Sequence, residues 1–247
     1  MDTGLKRAAD AFKTVDWVVP AYFTVGAIDM LASAIESAAS PEQRQTILRD
    51  VLPRLYNDDY LAATLMARYS STIYVRDFRM PIAESIEAAV IGLPHAAVST
   101  LTPVLEGVLR KIAAERKGPE ENGKKFFIIP ELDELIANEE RSPHRYGERI
   151  VMLESLRDFF AERLYAQTKN YGGLDQLNRH GILHGLFDGY GDSVNFYRLI
   201  SLLDLLCFAL VLSHGGSAFA SEDTPESRKL ASYYQAAREH SLQRPSV

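Results

Sequence analysis

The sequence predicts an all-α fold, a helical bundle, and three observations carry that prediction. Apolar residues recur at a spacing near 3.6 through most of the chain. Helix-opening pairs such as Ser40–Pro41 and Thr102–Pro103 sit at the start of such stretches. Runs of alternating β-branched residues joined by Asn-Gly or Asp-Gly turns are not found, and "KKFFIIPEL" (124–132) is the single strand-like piece.

The elements follow in order. Residues 5–40 read as one or two helices, disturbed near Pro20. "SPEQRQTILRDVLPRLY" (40–56) is a helix capped by Ser40, with Pro41 at its first position, and "NDDYLAATLMARYSSTI" (57–73) is another. "RDFRMP" (76–81) reads as a break. Residues 82–117 are helical in pattern. Pro94 and Pro103 mark a kink or boundary there, and Thr102 before Pro103 suits a helix start. "KGPEENGKK" (117–125) combines Gly, Pro, Asn and charge, so it is a loop. "PELDELIANEE" (130–140) is a short helix, residues 144–168 a long amphipathic one, and "KNYGG" (169–173) a turn. A helix of about 12–17 residues then opens at 174, and "GYGDS" (189–193) breaks it. Residues 194–213 form a very apolar helix, 214–227 a loop and 227–240 the last helix. A boundary near residue 80 would divide an N-terminal helical region of unknown role, 1–80, from a helical domain over 81–247; the alternative is one continuous domain.

Charge and composition narrow the function. A net charge of −6 argues against a protein that lives on bulk DNA electrostatics, but leaves room for a local site for RNA or a nucleotide. The lone Cys207 lies in "LLDLLCFALVL" and reads as a small buried apolar residue, which fits a reducing cytoplasm. "MDTGLKRAADAFKTVDW" is polar where the apolar core of a signal peptide would stand. The apolar runs 17–28 and 202–212 fall short of the ~20 residues of a bilayer span and read as core helices. The expectation is a cytoplasmic protein with no membrane partner.

One stretch resists a packing explanation. "LDQLNRHGILHG" (174–185) carries an Arg, two His and two Gly within seven positions, and the chain has only 6 His. On a helix of 100° per residue, His180 and His184 are neighbours at i, i+4, and so are Gly181 and Gly185. Two glycines on one face suggest that another backbone comes close there, from this chain or from a second subunit. Arg179 lies about 140° round the helix from His184, so the two do not share a face. Arg and His together suit phosphodiester cleavage in RNA. An imidazole can take the 2′-OH proton or protonate the leaving 5′-oxygen, and a guanidinium steadies the phosphoryl charge. The same residues also fit a polar patch satisfied by backbone carbonyls. A metal site on His180 and His184 is a third reading. "HGILH" lacks the adjacent Glu of HExxH, and no third ligand stands out, so no metal or other cofactor is expected. "RDFR" (76–79) sets Arg76 and Arg79 about Phe78, where a base could stack. His95 and His144 show no partner in the sequence.

Residue order adds to this. "LNRHGILHG" resembles the active-site motif of the HEPN superfamily, in which an Arg is followed a few residues on by a His, with a polar residue directly after the Arg. Here Arg179, His180 and His184 fall at those places. "GLPHAAVSTLTPVLEGVLRKIA" (92–113) is similar to the helix that precedes the motif in such proteins, and "YGDSVNFYRLISLLDLLCFAL" (190–210) to the helix after it. The resemblance covers roughly 83–213 and implies a four-helix HEPN-like core, here with extra N-terminal helices. It also implies a homodimer in which the 174–190 helices face each other. Active members are metal-independent endoribonucleases, often toxins or phage-defence effectors, so RNA, an antitoxin or a sensor are the partners to expect. Other members only bind nucleotides or are inactive, and a non-catalytic nucleotide-binding or protein-interaction module is the alternative. Carried over, Arg179 and His184 are the catalytic pair, and His180 and Asn178 assist. Glu106, in the "EG" pair of the preceding helix, would orient a motif side chain or meet substrate; a solvated helix carboxylate is the other reading. Tyr190, Asn195 and Arg198, just past the motif, would line the same cleft.

Overall fold

The computed structural model describes residues 4–117, 128–143, 145–214 and 219–243. Every regular element among them is helical, so the all-α bundle is the fold. Helices α1 (Gly4–Lys13) and α2 (Val25–Glu36) pack on each other. Between them Trp17, Val18 and Val19 are buried as irregular chain. Asp16 and Tyr22 take left-handed φ of 53° and 68°, and Pro20 lies between them. The apolar run 17–28 is therefore not one core helix: left-handed residues and a proline stop it until Thr24 caps α2.

Local cap chemistry decides several boundaries. α3 (Pro41–Leu55) starts where expected, with the Ser40 hydroxyl accepting from Gln43 N–H at 3.2 Å. Asn57 caps α4 (Asp58–Met66), and α5 (Arg68–Ser71) is a single turn. "RDFRMP" proves to be a 3-10 turn, Arg76–Phe78, running straight into α6 (Arg79–Val90). Pro81 falls in the first turn of α6, where its missing N–H is not needed. α7 (Pro94–Lys117) begins at Pro94 but passes through Pro103. Thr102 does not cap a helix; its hydroxyl donates to Val98 O at 2.7 Å inside α7. α8 (Ile128–Arg141) includes Ile128–Leu132, so the strand reading fails over those residues. Residues 118–127, with most of the expected loop, lie outside the described ones. α9 (Gly147–Phe159) ends in a π-helical turn, Phe160–Leu164. Then come α10 (Arg179–Leu183), α11 (Ser193–His214) and α12 (Pro225–Ser241), the last opened by a Thr224–Ser227 capping box.

α11 packs against α3, α7 and α9. Its Leu199, Leu202, Leu203, Leu205 and Leu206 are fully buried, each worth on the order of 2 kcal/mol by removal from water. Ser193–Val211 is the one stretch among the described residues long and apolar enough to cross a membrane, and 89% of it is buried inside the fold. A single core cluster runs from Leu5 to Tyr234; α12 packs on α4 and α1 on α9, so it crosses residue 80. Cys207 is buried and free.

Candidate functional site

Residues 174–190 are not one helix. Only Arg179–Leu183 is helical, held in a longer loop between α9 and α11. Gln176 takes a left-handed φ of 54° before α10, and Gly185 one of 66° after it. Leu186 N–H bonds Gly181 O at 2.8 Å and Gly185 N–H bonds Ile182 O at 3.2 Å, the paired bonds of a Schellman end with glycine as its left-handed residue. Gly181 is small for another reason: a Cβ there would overlap the Phe187 ring. Both glycines are thus accounted for within the chain, and they do not form a stripe for a second backbone.

The loop is held by buried polar bonds. Asn178 is fully buried. Its Oδ1 accepts from Gly181 N–H at 2.9 Å and caps α10, while its Nδ2 donates to Arg163 O at 3.1 Å and Ala166 O at 2.8 Å. Both carbonyls lie where α9 ends in the π-turn, and Arg163 O also accepts from Ala166 N–H at 3.3 Å. One amide closes two helix ends, with none of its surface on the outside. From α11, Asn195 Nδ2 donates to Asp175 O at 2.9 Å and Tyr190 O at 3.0 Å, gathering both arms of the loop. Arg198 pairs with the Asp175 carboxylate at 2.5 Å and reaches Val15 O at 2.8 Å. Asn195 and Arg198 are therefore buried clamps rather than the walls of a cleft. Tyr190 is half-buried, edge-on to His95 with ring centroids 4.9 Å apart. His95, without a partner in the sequence reading, bonds Asp188 O through Nε2 at 3.0 Å and steadies the same loop. His144 lies outside the described residues.

Glu106 on α7 is the electrostatic centre. Arg110 donates to its Oε1 from Nε and Nη2, at 2.9 and 2.6 Å, and the Tyr165 hydroxyl donates to Oε2 at 3.0 Å. Arg179 Nε lies 3.0 Å from Oε2, but its N–H is not aimed along that line, so the contact is one of charge rather than a hydrogen bond. Burial alone would push the Glu106 carboxyl up; the bonds from Arg110 and Tyr165 and the charges of Arg179 and Arg110 outweigh it and hold the carboxyl below its ordinary value. The terminal nitrogens of Arg179 have no bonded partner among the described residues. Gly107, next in the "EG" pair, makes room for the Phe78 ring, which would overlap a Cβ there. Phe78 thus packs on α7 and is not a free platform between Arg76 and Arg79.

His180 and His184 are exposed, with ring centroids 4.2 Å apart. His184 is the C-cap residue of α10, and its ring lies against that of His180. Arg179 and His180 line an open cleft of about 460 Å³ together with Tyr165, Thr168 and Lys169. The structure therefore brings Arg179, His180 and Glu106 together and links His184 to them through His180. Asn178, Asn195 and Arg198 lie behind the loop. Sequence reasoning missed Tyr165, Thr168 and Lys169, which precede Arg179 by ten or more positions; "KNYGG" marked only a turn. Comparison of the chain with protein-family models, with curated proteins and with solved structures gives no match.

Proposed function

We propose that the protein is a metal-independent endoribonuclease of the HEPN type, acting in the cytoplasm as a toxin or phage-defence effector. One observation carries this reading: Arg179 and His180 share a cleft, the guanidinium is steadied at Nε by Glu106, and its terminal nitrogens remain open. A free guanidinium edge suits a phosphoryl group, which it meets with two parallel donors. In the reaction the 2′-oxygen attacks phosphorus and its proton passes to an imidazole. The bond from phosphorus to the 5′-oxygen breaks, and that oxygen is protonated. The products are a 2′,3′-cyclic phosphate and a 5′-hydroxyl. His184 transfers protons, His180 assists, and Arg179 stabilises the charge growing on phosphorus. Asn178 serves by capping α10. A homodimer through the α10 surface belongs to this reading; exposed Leu174, Leu183 and Leu186 offer apolar area there. An antitoxin or sensor would cover the same face.

RNA cleavage by purified protein in EDTA tests it, wild type beside His184→Ala. Wild-type cleavage leaving cyclic phosphate ends, with a loss of about 10²–10⁴-fold in the variant, is expected. Arg179→Ala should lose activity yet melt near the wild type, because its side chain is partly exposed. No cleavage by folded wild type would remove the proposal. One observation favours a second reading, a non-catalytic nucleotide-binding module: His184 touches His180 but does not itself line the cleft. Under that reading a nucleotide raises the melting temperature and RNA stays intact.

A further inference from the structure

The cleft beside α10 carries a second cation that the reaction above does not use. Lys169 sits in the 3-10 turn Thr168–Asn170 and lines the cleft with Arg179 and His180. Other basic side chains nearby are taken: Arg110 by Glu106, Arg163 by Asp16, Lys13 by Asp158 and Glu162, Arg157 by Asp133. Lys169 is exposed and has no ion pair or hydrogen bond among the described residues. Thr168 beside it has a hydroxyl without a hydrogen-bond partner. No carboxylate stands among the described residues of the cleft wall, although the chain carries a net charge of −6. An acidic protein that leaves Lys169 unpaired beside the open terminal nitrogens of Arg179, whose Nε alone faces Glu106, favours an anion with more than one charge there. The cleft is open rather than enclosed, so a ligand longer than a single phosphate can reach both Lys169 and Arg179.

We infer that Lys169 holds a second phosphate, next to the one at Arg179, so that the cleft takes a single-stranded polynucleotide rather than a mononucleotide. This rests on the ribonuclease reading for the phosphate at Arg179. The test is binding by the full-length protein of a fluorescein-labelled oligouridylate with every 2′-oxygen methylated, which can bind but cannot be cut. Uridine 3′-monophosphate is the comparison ligand. The wild type should bind the oligonucleotide more tightly than the monophosphate. Lys169→Gln should weaken the oligonucleotide several-fold and flatten its log Kd against log salt by about 0.7, the share of one phosphate on a single strand. The monophosphate affinity should stay unchanged, and Lys169→Arg should restore the oligonucleotide. Equal affinity and slope in Lys169→Gln would overturn the inference, as would an equal loss for the monophosphate. A wild type that binds neither ligand removes this inference and the ribonuclease reading together. Lys169-dependent binding with unmethylated RNA left intact keeps the subsite and removes the ribonuclease reading alone.

Discussion

Asn178 closes two helix ends with one side chain, and its two halves can be removed separately. Asn178→Asp keeps an acceptor for Gly181 N–H but loses both donors, and it sets a carboxylate oxygen against the carbonyls of Arg163 and Ala166. A buried charge left facing acceptors costs about 3 kcal/mol or more. Protonation would give the side chain a donor again. The Asn178→Asp protein, compared with the wild type by urea unfolding, should therefore be much weaker at pH 7 and recover part of the loss as pH falls towards 5. A variant as stable as the wild type at both would show that Asn178 is not the cap that holds α10. Gly185 makes a milder case. Its left-handed φ leaves open space around it, so Gly185→Ala should cost only about 1 kcal/mol of strain.

α10 has five residues, too few to be a stable helix alone, so its shape comes from what surrounds it. That is why the sequence was a poor guide to it. The Ser40–Pro41 start was legible because the cap and its bonded N–H lie three residues apart. The 174–190 reading failed because a helical wheel cannot tell a glycine on a packing stripe from a glycine in a left-handed end. Gln176 at φ 54° carries no signal at all, and its side chain bonds across the loop, accepting from Gly189 N–H at 2.7 Å. Thr102–Pro103 offered the same local signal as Ser40–Pro41, but Leu101, Val104, Leu105 and Val108 continue one buried surface through Pro103, and tertiary packing kept the helix whole. Arg179, His180 and His184 were legible as types. The meeting of Arg179 and His180 in one cleft, with His184 outside it against His180, was not, because it depends on where α10 stops and on Glu106, reached from another helix. Glu106 gives the prediction at this scale. Glu106→Gln keeps the size but removes the charge facing Arg179, so RNA cleavage should fall about tenfold from a looser guanidinium. The methylated oligonucleotide should bind almost as before, because the terminal nitrogens of Arg179 remain. Unchanged cleavage would show that Arg179 needs no such support.

Across the whole molecule, the core is tied together by a buried carboxylate, and this makes stability depend on pH. Asp204 on α11 is fully buried and accepts from Tyr60 of α4 at 2.6 Å and from Tyr69 of α5 at 2.9 Å. Arg68, stacked on Tyr22 at 3.3 Å and bonded to Phe219 O at 2.6 Å, supplies a nearby positive charge. Burial pushes the Asp204 carboxyl from 3.8 up to about 6, and Arg68 and the two tyrosines only partly offset it. A carboxyl raised by folding favours the protonated form. Its contribution is therefore complete below the unfolded value and is lost as pH rises through about 6. The gap between 3.8 and about 6 corresponds to roughly 3 kcal/mol. Glu106 acts in the opposite sense, because its lowered carboxyl loses stabilisation as pH falls. The raw melting temperature mixes the two, whereas subtracting the Asp204→Asn variant, which retains Glu106, removes the second. An amide can still accept from one tyrosine and donate to the other, so the variant should fold. The wild-type unfolding free energy minus that of Asp204→Asn should fall by up to roughly 3 kcal/mol between pH 4 and pH 7, whatever the offset at pH 4. Urea unfolding of both proteins across that range measures it. A flat difference would mean that Asp204 ionises as easily in the fold as out of it, and that Arg68 and the tyrosines fully compensate its burial.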